Sequence, residues 1–413
     1  MKPASTFLLC FLLMASCSGP GRKGNNLQND NVMITDTLKQ YGYNKDFLKK
    51  HTDIVELTNG NASIVIIPGL QGRVMTSTST GDSGFSFGWM NHDLIASEEI
   101  QPHINAFGGE ERFWLGPEGG QYSIFFEQGK EFVYDNWQTP DFLDTRPFNL
   151  DLLTDSSAHF SFETALINYS GTLLQLRIER EVTLLKDKEI AGLTGINPDG
   201  VNGVAYRSVN RLINKGDNEW NKEGGLLSIW MLGMFIPSPA VVVVIPFVPG
   251  ETSKLGPPVN DNYFGRISAD RLKVAGNHVF FRADGKSRGK IGIPPLRSTG
   301  RMGSFDSENN IFTLLICDVH EGVTDYVNSA WEIQDDPYSG DALNSYNDGP
   351  LEDGSQMGPF YELESSSPAA ALKPGGRMSH TQVTFHFTGE PEKLDEISRS
   401  VLGIGLKEIR EAL

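Results

Sequence analysis

The chain has 413 residues, of which 39% are hydrophobic, 10% are aromatic and 44 are glycines. This composition is that of a globular protein with many turns, and it excludes a disordered chain or one built of membrane spans. The formal net charge of −17 argues against nucleic acid and anionic membrane surfaces as partners. Neutral polar ligands remain compatible with it.

The first seventeen residues predict a targeting segment, because Lys2 precedes the apolar run Phe7–Met14 and the chain then reaches Cys17 through two small residues. The run is too short for a permanent transmembrane helix. Its small-small-cysteine ending resembles the lipobox of bacterial lipoproteins, although Met14 stands where leucine is usual; an ordinary cleaved signal peptide is the alternative. The resemblance implies lipidation of Cys17 and an anchor in the cell envelope, in an outer membrane facing the periplasm or the cell surface.

Residues 18–34 are polar and glycine-rich, which is typical of a flexible tether. One domain is predicted over residues 35–413. The spacing of apolar residues predicts one or two short helices over Thr35–His51. A second amphipathic stretch, Glu390–Leu413, predicts a helix that packs on the rest of the domain and is interrupted at Gly403-Ile404-Gly405.

Between these ends the apolar residues recur with a period of two, as in β-strands. Many short strand-and-turn units with few helices, and no short internal repeat, predict an all-β fold: one large antiparallel β-sandwich. The clearest strands are predicted at Phe160–Leu166, Leu173–Leu185, Tyr206–Ile213, Leu226–Ile236, Ala240–Phe247, Val279–Arg282 and Ile311–Val319.

Cysteine and histidine usage gives no metal or cofactor motif. Of three cysteines, Cys10 and Cys17 lie in the targeting segment, and Cys317 lies in an apolar run that predicts a buried thiol. The chain lacks HExxH, paired-cysteine spacing and a phosphate-binding glycine-rich motif. No cofactor or metal is therefore expected, and His380 and His386 are interpreted as structural residues on a strand.

The strongest candidate for chemistry is the stretch Met357–Phe387. Tyr361 and Leu363 alternate there with Glu362 and Glu364, which places both carboxylates on one face of a strand. A Pro-Gly-Gly sequence then predicts a turn into a second strand. A carboxylate beside such a turn can act as a general base when a cleft keeps it partly dry.

A second candidate is Gln101–Phe126, in which two glycine pairs bracket charged and aromatic residues. Arginine offers a rigid fork of donors for hydroxyl groups or a carboxylate, and a tryptophan face can stack on a sugar ring. The alternative is two tight turns that hold a salt-bridged arginine and a core tryptophan. Alternation at its end predicts a strand over residues 122–126. The bracketed residues are Glu110, Glu111, Arg112, Trp114 and Glu118.

A third stretch, Asp335–Gly349, is dense in aspartate, asparagine and glycine. Such residues can bind calcium or a sugar, but their spacing does not fit the calcium loop of about twelve residues. Turn chemistry is the favoured interpretation, since aspartate and asparagine hydrogen-bond their own backbone in loops.

Two segments together resemble a known family. Leu363-Glu364-Ser365-Ser366-Ser367-Pro368, followed by Leu372-Lys373-Pro374-Gly375-Gly376, resembles the closing segment of aldose 1-epimerases, the galactose mutarotases. Val55–Gly72 is similar to the opening hairpin of their β-supersandwich. The motif at residues 108–120 looks more like that of bacterial lipoproteins with the same fold. The resemblance implies that Glu364 is the catalytic base and that Glu111 and Arg112 lie near the sugar.

Mutarotation needs a base for the anomeric hydroxyl and an acid for the ring oxygen. In the family the acid is a histidine in a mid-chain Asn-His-x-Tyr-Phe segment, helped by an earlier His-Gly-Gly. The matching region Val209–Phe235 contains no histidine, and Trp137-Gln138-Thr139 stands near the expected His-Gly-Gly. His103 is the nearby substitute for the acid.

Two functions therefore stay open: a carbohydrate-binding or carbohydrate-active lipoprotein that serves glycan uptake or breakdown, and an active aldose 1-epimerase. Both take a mono- or oligosaccharide, and other glycan-utilisation proteins are the expected partners. The candidate catalytic residues are Glu364 as base and His103 as acid. The candidate substrate-binding residues are Glu111, Arg112, Trp114, Glu118, Trp230 and Glu362.

Overall fold

The computed structural model describes residues 36–197 and 199–413. The predicted targeting segment, the lipidation site Cys17 and the tether lie outside these residues. Within them, the prediction of a large antiparallel β-sandwich with short helices at both ends is confirmed.

Strands make up most of the regular structure, and some of the loops between them are long. They are β1 (Val55–Asn59), β2 (Ala62–Ile67), β3 (Arg73–Thr78), β4 (Arg112–Gly116), β5 (Asn149–Leu153), β6 (Ser157–Ile167), β7 (Leu173–Leu184), β8 (Val201–Asn214), β9 (Ser228–Phe235), β10 (Val241–Pro246), β11 (Leu272–Ala275), β12 (His278–Arg282), β13 (Gly289–Ile293), β14 (Arg301–Asp306), β15 (Ile311–Cys317), β16 (Leu343–Asn347), β17 (Tyr361–Ser366) and β18 (Arg377–Gly389).

The helices are short. They are α1 (Tyr41–His51), α2 (His92–Ser97), α3 (Asp141–Asp144), α4 (Asp187–Thr194), α5 (Thr252–Leu255), α6 (Pro391–Leu402) and α7 (Leu406–Arg410), with 3-10 turns at Asp36–Lys39, Pro68–Leu70, Tyr134–Asn136 and Pro295–Arg297.

Two large sheets form the sandwich. One has ten strands in the order β11-β12-β10-β14-β15-β18-β8-β7-β6-β5, and the other has five in the order β13-β16-β17-β9-β4. Strands β1, β2 and β3 form a third, smaller sheet. Neighbouring strands are antiparallel, so side chains alternate between the two faces of each sheet.

The register of the five-stranded sheet separates two environments. Odd-numbered residues such as Leu363 and Leu343 are fully buried in an apolar cluster that includes Val243 of the ten-stranded sheet. Even-numbered residues face the other way: Glu364 lies opposite Leu232, and Leu232 lies opposite Arg112. The even-numbered face is therefore the one available to a ligand.

Polar side chains also lie between the two sheets. The Arg180 guanidinium donates to Glu111 Oε1 at 2.7 Å and to Asn210 Oδ1 at 2.7 Å, and both charged side chains have 0% exposure. Gln382 Nε2 donates to the second oxygen of Glu111 at 3.0 Å. The pair thus satisfies charges that burial alone would strongly destabilise.

The terminal helices follow the predicted pattern. Helix α6 buries Leu394, Ile397 and Val401 against an apolar cluster of the ten-stranded sheet. It ends where Gly403 adopts a left-handed conformation (φ 73°), and α7 begins at Leu406. The interruption therefore lies within the predicted Gly-Ile-Gly sequence.

The strand predicted over residues 122–126 does not form. The Ser123 amide donates to the Gly120 carbonyl at 3.0 Å, and the Phe125 amide donates to the Ser123 hydroxyl at 3.0 Å, so local turn bonds replace a sheet partner. The short internal helices, such as α2 and α4, were also not predicted, because the two-residue periodicity gave no indication of them.

No helix among the described residues is long and apolar enough to cross a membrane.

The substitution Arg180→Leu should lower the free energy of unfolding by about 3–5 kcal/mol, because it leaves the Glu111 charge buried without its partner. Arg177→Leu is the matched control, since Arg177 lies on the same strand in a partly exposed pair with Glu163 at 3.0 Å. The control should lose about 1 kcal/mol or less. Urea unfolding measures both, and equal small losses would contradict the structural role of the buried pair.

Candidate functional site

A cleft with two lobes opens over the even-numbered face of the five-stranded sheet. The lobes have volumes of about 750 and 530 Å³, within the range of small-molecule sites. Residues that line both lobes join them into one cavity: Glu118, Trp230, Phe264, Arg288, Lys290 and Trp331.

Aromatic rings form much of the cleft wall. Trp114 and Trp230 meet edge to face, with centroids 5.7 Å apart and an interplanar angle of 84°. Trp331 stacks on Trp137, with centroids 5.8 Å apart. Flat apolar faces beside polar groups suit a ligand with apolar C–H faces and hydroxyl edges.

Glu364 lies under this wall. Its Oε2 accepts hydrogen bonds from Trp230 Nε1 at 2.8 Å and from Lys290 Nζ at 2.8 Å. The Lys290 ammonium also lies 4.7 Å from the centre of the Trp230 ring. The Glu364 side chain is 0% exposed, so it supports two lining residues and is covered by them.

Glu362 and Arg112 form a second charged pair in the cleft. Both side chains are almost completely buried, and the guanidinium donates to Glu362 Oε1. Burial raises the pKa of Glu362 above its usual range, while Arg112 opposes the shift and Glu364 adds to it. The guanidinium also lies over the Trp114 ring at 5.2 Å, which fixes that ring.

Glu118 follows β4 and lines both lobes. Burial raises its pKa to about 7; the Lys290 ammonium and the Trp331 side chain lower it, and Glu364 raises it further. The Glu118 carboxyl can therefore hold a proton near neutral pH. It can donate a hydrogen bond or a proton to a ligand in the cleft.

Two predicted site residues lie elsewhere. Glu111 precedes Arg112 on the sequence, so its side chain points to the opposite side, into the pair with Arg180 between the sheets. The expectation that Glu111 lines the cleft is therefore wrong. His103 lies outside both lobes: its Nδ1 is 2.6 Å from the Trp137 carbonyl oxygen, and its ring rests on Tyr134.

The other predicted residues are brought together. Arg112, Trp114, Glu118, Trp230 and Glu362 line the cleft, and Glu364 lies directly below Trp230.

Several residues that line the cleft were not predicted from the sequence, foremost Lys290 on β13.

The stretch Asp335–Gly349 was predicted to form turns. Tyr338 N does donate to Asp336 Oδ1 at 3.2 Å, in a turn. Asp341 further along instead lines the cleft and accepts from Asn260 Nδ2 at 2.8 Å, and burial raises its pKa to about 6. Leu343–Asn347 shows no alternation of apolar and polar residues, so its sequence gave no signal for the strand there.

A family model for a family of unknown function, DUF6786, matches residues 39–413. The chain belongs to this family. No curated protein matches this DUF6786 chain.

Solved structures similar to this DUF6786 protein include mutarotase-like proteins, as the sequence resemblance predicted. The Slr1438 protein of Synechocystis is 13% identical with a TM-score of 0.47, covering 82% of this chain and 96% of its own. A galactose mutarotase-like protein of Lactobacillus casei is 10% identical with a TM-score of 0.47, and the match covers 81% of this chain and 100% of that protein. A galactose mutarotase related enzyme of Lactobacillus acidophilus is 9% identical with a TM-score of 0.44, covering 82% and 97%.

The raised pKa of Glu118 predicts a pH dependence of stability. Between pH 4.5, the ordinary pKa of a glutamate, and about pH 7, the folded protein holds the Glu118 proton more tightly than the unfolded chain. Stability should therefore fall as pH rises through this window. In the Glu118→Gln variant, the decrease in the free energy of unfolding between pH 5 and pH 7.5 should be smaller by about 1–2 kcal/mol. Urea unfolding at both pH values measures it.

Glu362 and Asp341 also have raised pKa values and contribute with the same sign. Both remain in the variant, so the difference between the two proteins isolates Glu118. An identical pH profile for the two proteins would show that Glu118 titrates normally.

Proposed function

We propose that the protein binds a neutral mono- or oligosaccharide in the cleft. One observation carries the proposal: aromatic side chains and buried ion pairs line one cavity of a size usual for small-molecule sites. The aromatic residues are Trp114, Trp230 and Trp331, and the pairs are Arg112–Glu362 and Lys290–Glu364. Stacking on a pyranose and hydrogen bonds to its hydroxyls are the interactions that such a surface offers. The strongly acidic chain disfavours a polyanionic glycan.

Hydrogen-bonding groups supply the polar side of the proposed contact. Lys290 and Arg288 present nitrogen donors to the cavity, and Asp341 and Asn344 present oxygen acceptors. Arg288 lies over the Phe264 ring at 4.0 Å, which holds its guanidinium at the cleft mouth. These donors and acceptors match the hydroxyl groups of a sugar.

Binding without turnover fits the position of Glu364. A general base must reach the anomeric hydroxyl within about 3 Å, directly or through one water. Glu364 is fully buried and covered by Lys290 and Trp230. His103, the expected acid, lies outside the cleft with its Nδ1 against the Trp137 carbonyl oxygen.

Aldose 1-epimerase activity is the second candidate, and Glu118 is the observation that favours it. In that reaction Glu364 takes the anomeric hydroxyl proton, and Glu118 protonates the ring oxygen as the ring opens. Closure of the ring returns each proton and leaves both carboxyl groups as they began. Lys290 would have to move away from Glu364 during the step.

Phe264→Ala should weaken sugar binding about tenfold, because it removes an exposed cleft ring and the support of Arg288. Tyr43→Ala is the matched control, since Tyr43 is 42% exposed against 49% for Phe264 and lies on α1, among residues that line neither lobe. A glycan array identifies the sugar, and titration calorimetry on each protein then gives the affinities. Equal weakening by both variants would remove the cleft from the proposal.

Polarimetry of freshly dissolved α-glucose and α-galactose separates the two candidate functions. Sugar-dependent thermal stabilisation without faster mutarotation supports binding alone. Acceleration that is lost in both Glu364→Gln and Glu118→Gln supports the epimerase. Absence of array binding, stabilisation and acceleration together overturns the carbohydrate proposal.

The proposal places the protein in the cell envelope, held by lipid on Cys17, where it serves glycan uptake or breakdown. The lipobox-like sequence ending at Cys17 supports this location. Cys17→Ser should abolish incorporation of labelled palmitate in a bacterial host and move the protein from the membrane fraction to the soluble fraction. Unchanged labelling of the variant would contradict the anchor.

A further inference from the structure

A cluster of metal-ligating side chains lies away from the cleft, at the end of β15. Asp318, His320 and His380 each offer one ligand atom, and these three atoms lie within 4.8 Å of one another. Two hydrogen bonds hold Asp318 beside the residue that follows His380. Thr381 N donates to Asp318 Oδ2 at 2.8 Å, and Asp318 N donates to the Thr381 carbonyl at 3.1 Å. The cluster is thus held by the pairing of β15 with β18.

Two imidazole nitrogens in the cluster are buried without a hydrogen-bond partner. They are Nδ1 of His380 and Nε2 of His320. The His380 side chain is completely buried, so water does not satisfy its nitrogen at the protein surface. A buried polar atom without a partner destabilises the fold, and two in one cluster point to a bound group.

A chain of hydrogen bonds determines which nitrogen of His380 carries its proton. Glu111 can only accept, so Gln382 Nε2 donates to it and Gln382 Oε1 is left to accept. The Ser365 hydroxyl donates to that oxygen at 2.7 Å. Ser365 Oγ must therefore accept the proton of His380 Nε2, at 2.7 Å.

This tautomer leaves the lone pair on Nδ1 of His380, the nitrogen without a partner. Metal-binding histidines commonly donate their other ring nitrogen to a fixed acceptor, which orients the ring. Ser365 is such an acceptor.

We propose that Asp318, His320 and His380 bind a divalent first-row transition metal ion, with Zn²⁺ as the preferred ion. Two imidazoles and one carboxylate form a ligand set typical of such ions, whereas Ca²⁺ and Mg²⁺ require mostly oxygen ligands. Asp318 and His320 are partly exposed, which gives the ion a path from solvent and leaves room for water as a fourth ligand.

The metal site is separate from the cleft. Ser365 follows Glu364 on β17, but its hydroxyl faces the ten-stranded sheet while Glu364 faces the cleft. Metal binding can therefore be tested without any knowledge of the sugar.

Titration of chelator-treated, tag-free protein with ZnCl₂ in a calorimeter tests the proposal. One Zn²⁺ should bind per chain, and CaCl₂ should give no heat of binding. Co²⁺ should bind the same protein with visible absorption bands that report nitrogen and oxygen ligands. Wild-type protein with neither a Zn²⁺ isotherm nor Co²⁺ bands overturns the proposal.

Variants assign the ligands. His320→Asn and Asp318→Asn, at partly exposed positions, should each weaken Zn²⁺ binding about 100-fold or more, and Ser365→Ala about 10–100-fold through the orientation of His380. His159→Asn is the matched control, because His159 is also partly exposed and lies 4.0 Å from the Glu181 carboxylate. Among the described residues it belongs to no group of three metal-ligating side chains. It should leave the affinity unchanged. Unchanged affinity in His320→Asn and Asp318→Asn overturns the assignment.

Discussion

The antiparallel register of β17 between β16 and β9 is the constraint on which the rest of the structure depends. Because side chains alternate, Glu362 and Glu364 lie on the cleft side, while Leu363 and Ser365 lie between the sheets. One strand thus supplies carboxylates to the cleft, an apolar side chain to the core and a hydroxyl to His380. Three environments of different polarity follow from a single set of backbone hydrogen bonds.

The second organising feature is the pairing of buried charges. Arg112 faces Glu362, Lys290 faces Glu364, and Arg180 faces Glu111 in the space between the sheets. Each pair joins strands distant in sequence, so the carboxylates are held where an isolated charge would destabilise the fold. This arrangement gives the cleft polar groups of fixed orientation, and the cations of two pairs also lie over the Trp114 and Trp230 rings.

The sequence was sufficient for the fold class, for most of the long strands and for both terminal helices, because these depend on local periodicity. It also placed Glu362 and Glu364 on one face. It failed for Glu111, because no strand was predicted over Arg112–Gly116, so the alternation that turns Glu111 away from Arg112 and toward Arg180 was not recognised. Lys290 and Asp341 were missed because their roles arise only when β13 pairs with β16 and β16 pairs with β17. The tautomer of His380 likewise depends on three segments that meet only in the folded chain.

The alternation in β17 also limits how this strand can change in evolution. Replacement of one side chain alters one environment and leaves the others in place. Insertion or loss of one residue ahead of Glu362 would exchange the two faces, sending carboxylates among the apolar side chains and leucine into the cleft. Tyr361–Ser366 is therefore more sensitive to a change in length by one residue than to the replacement of one side chain.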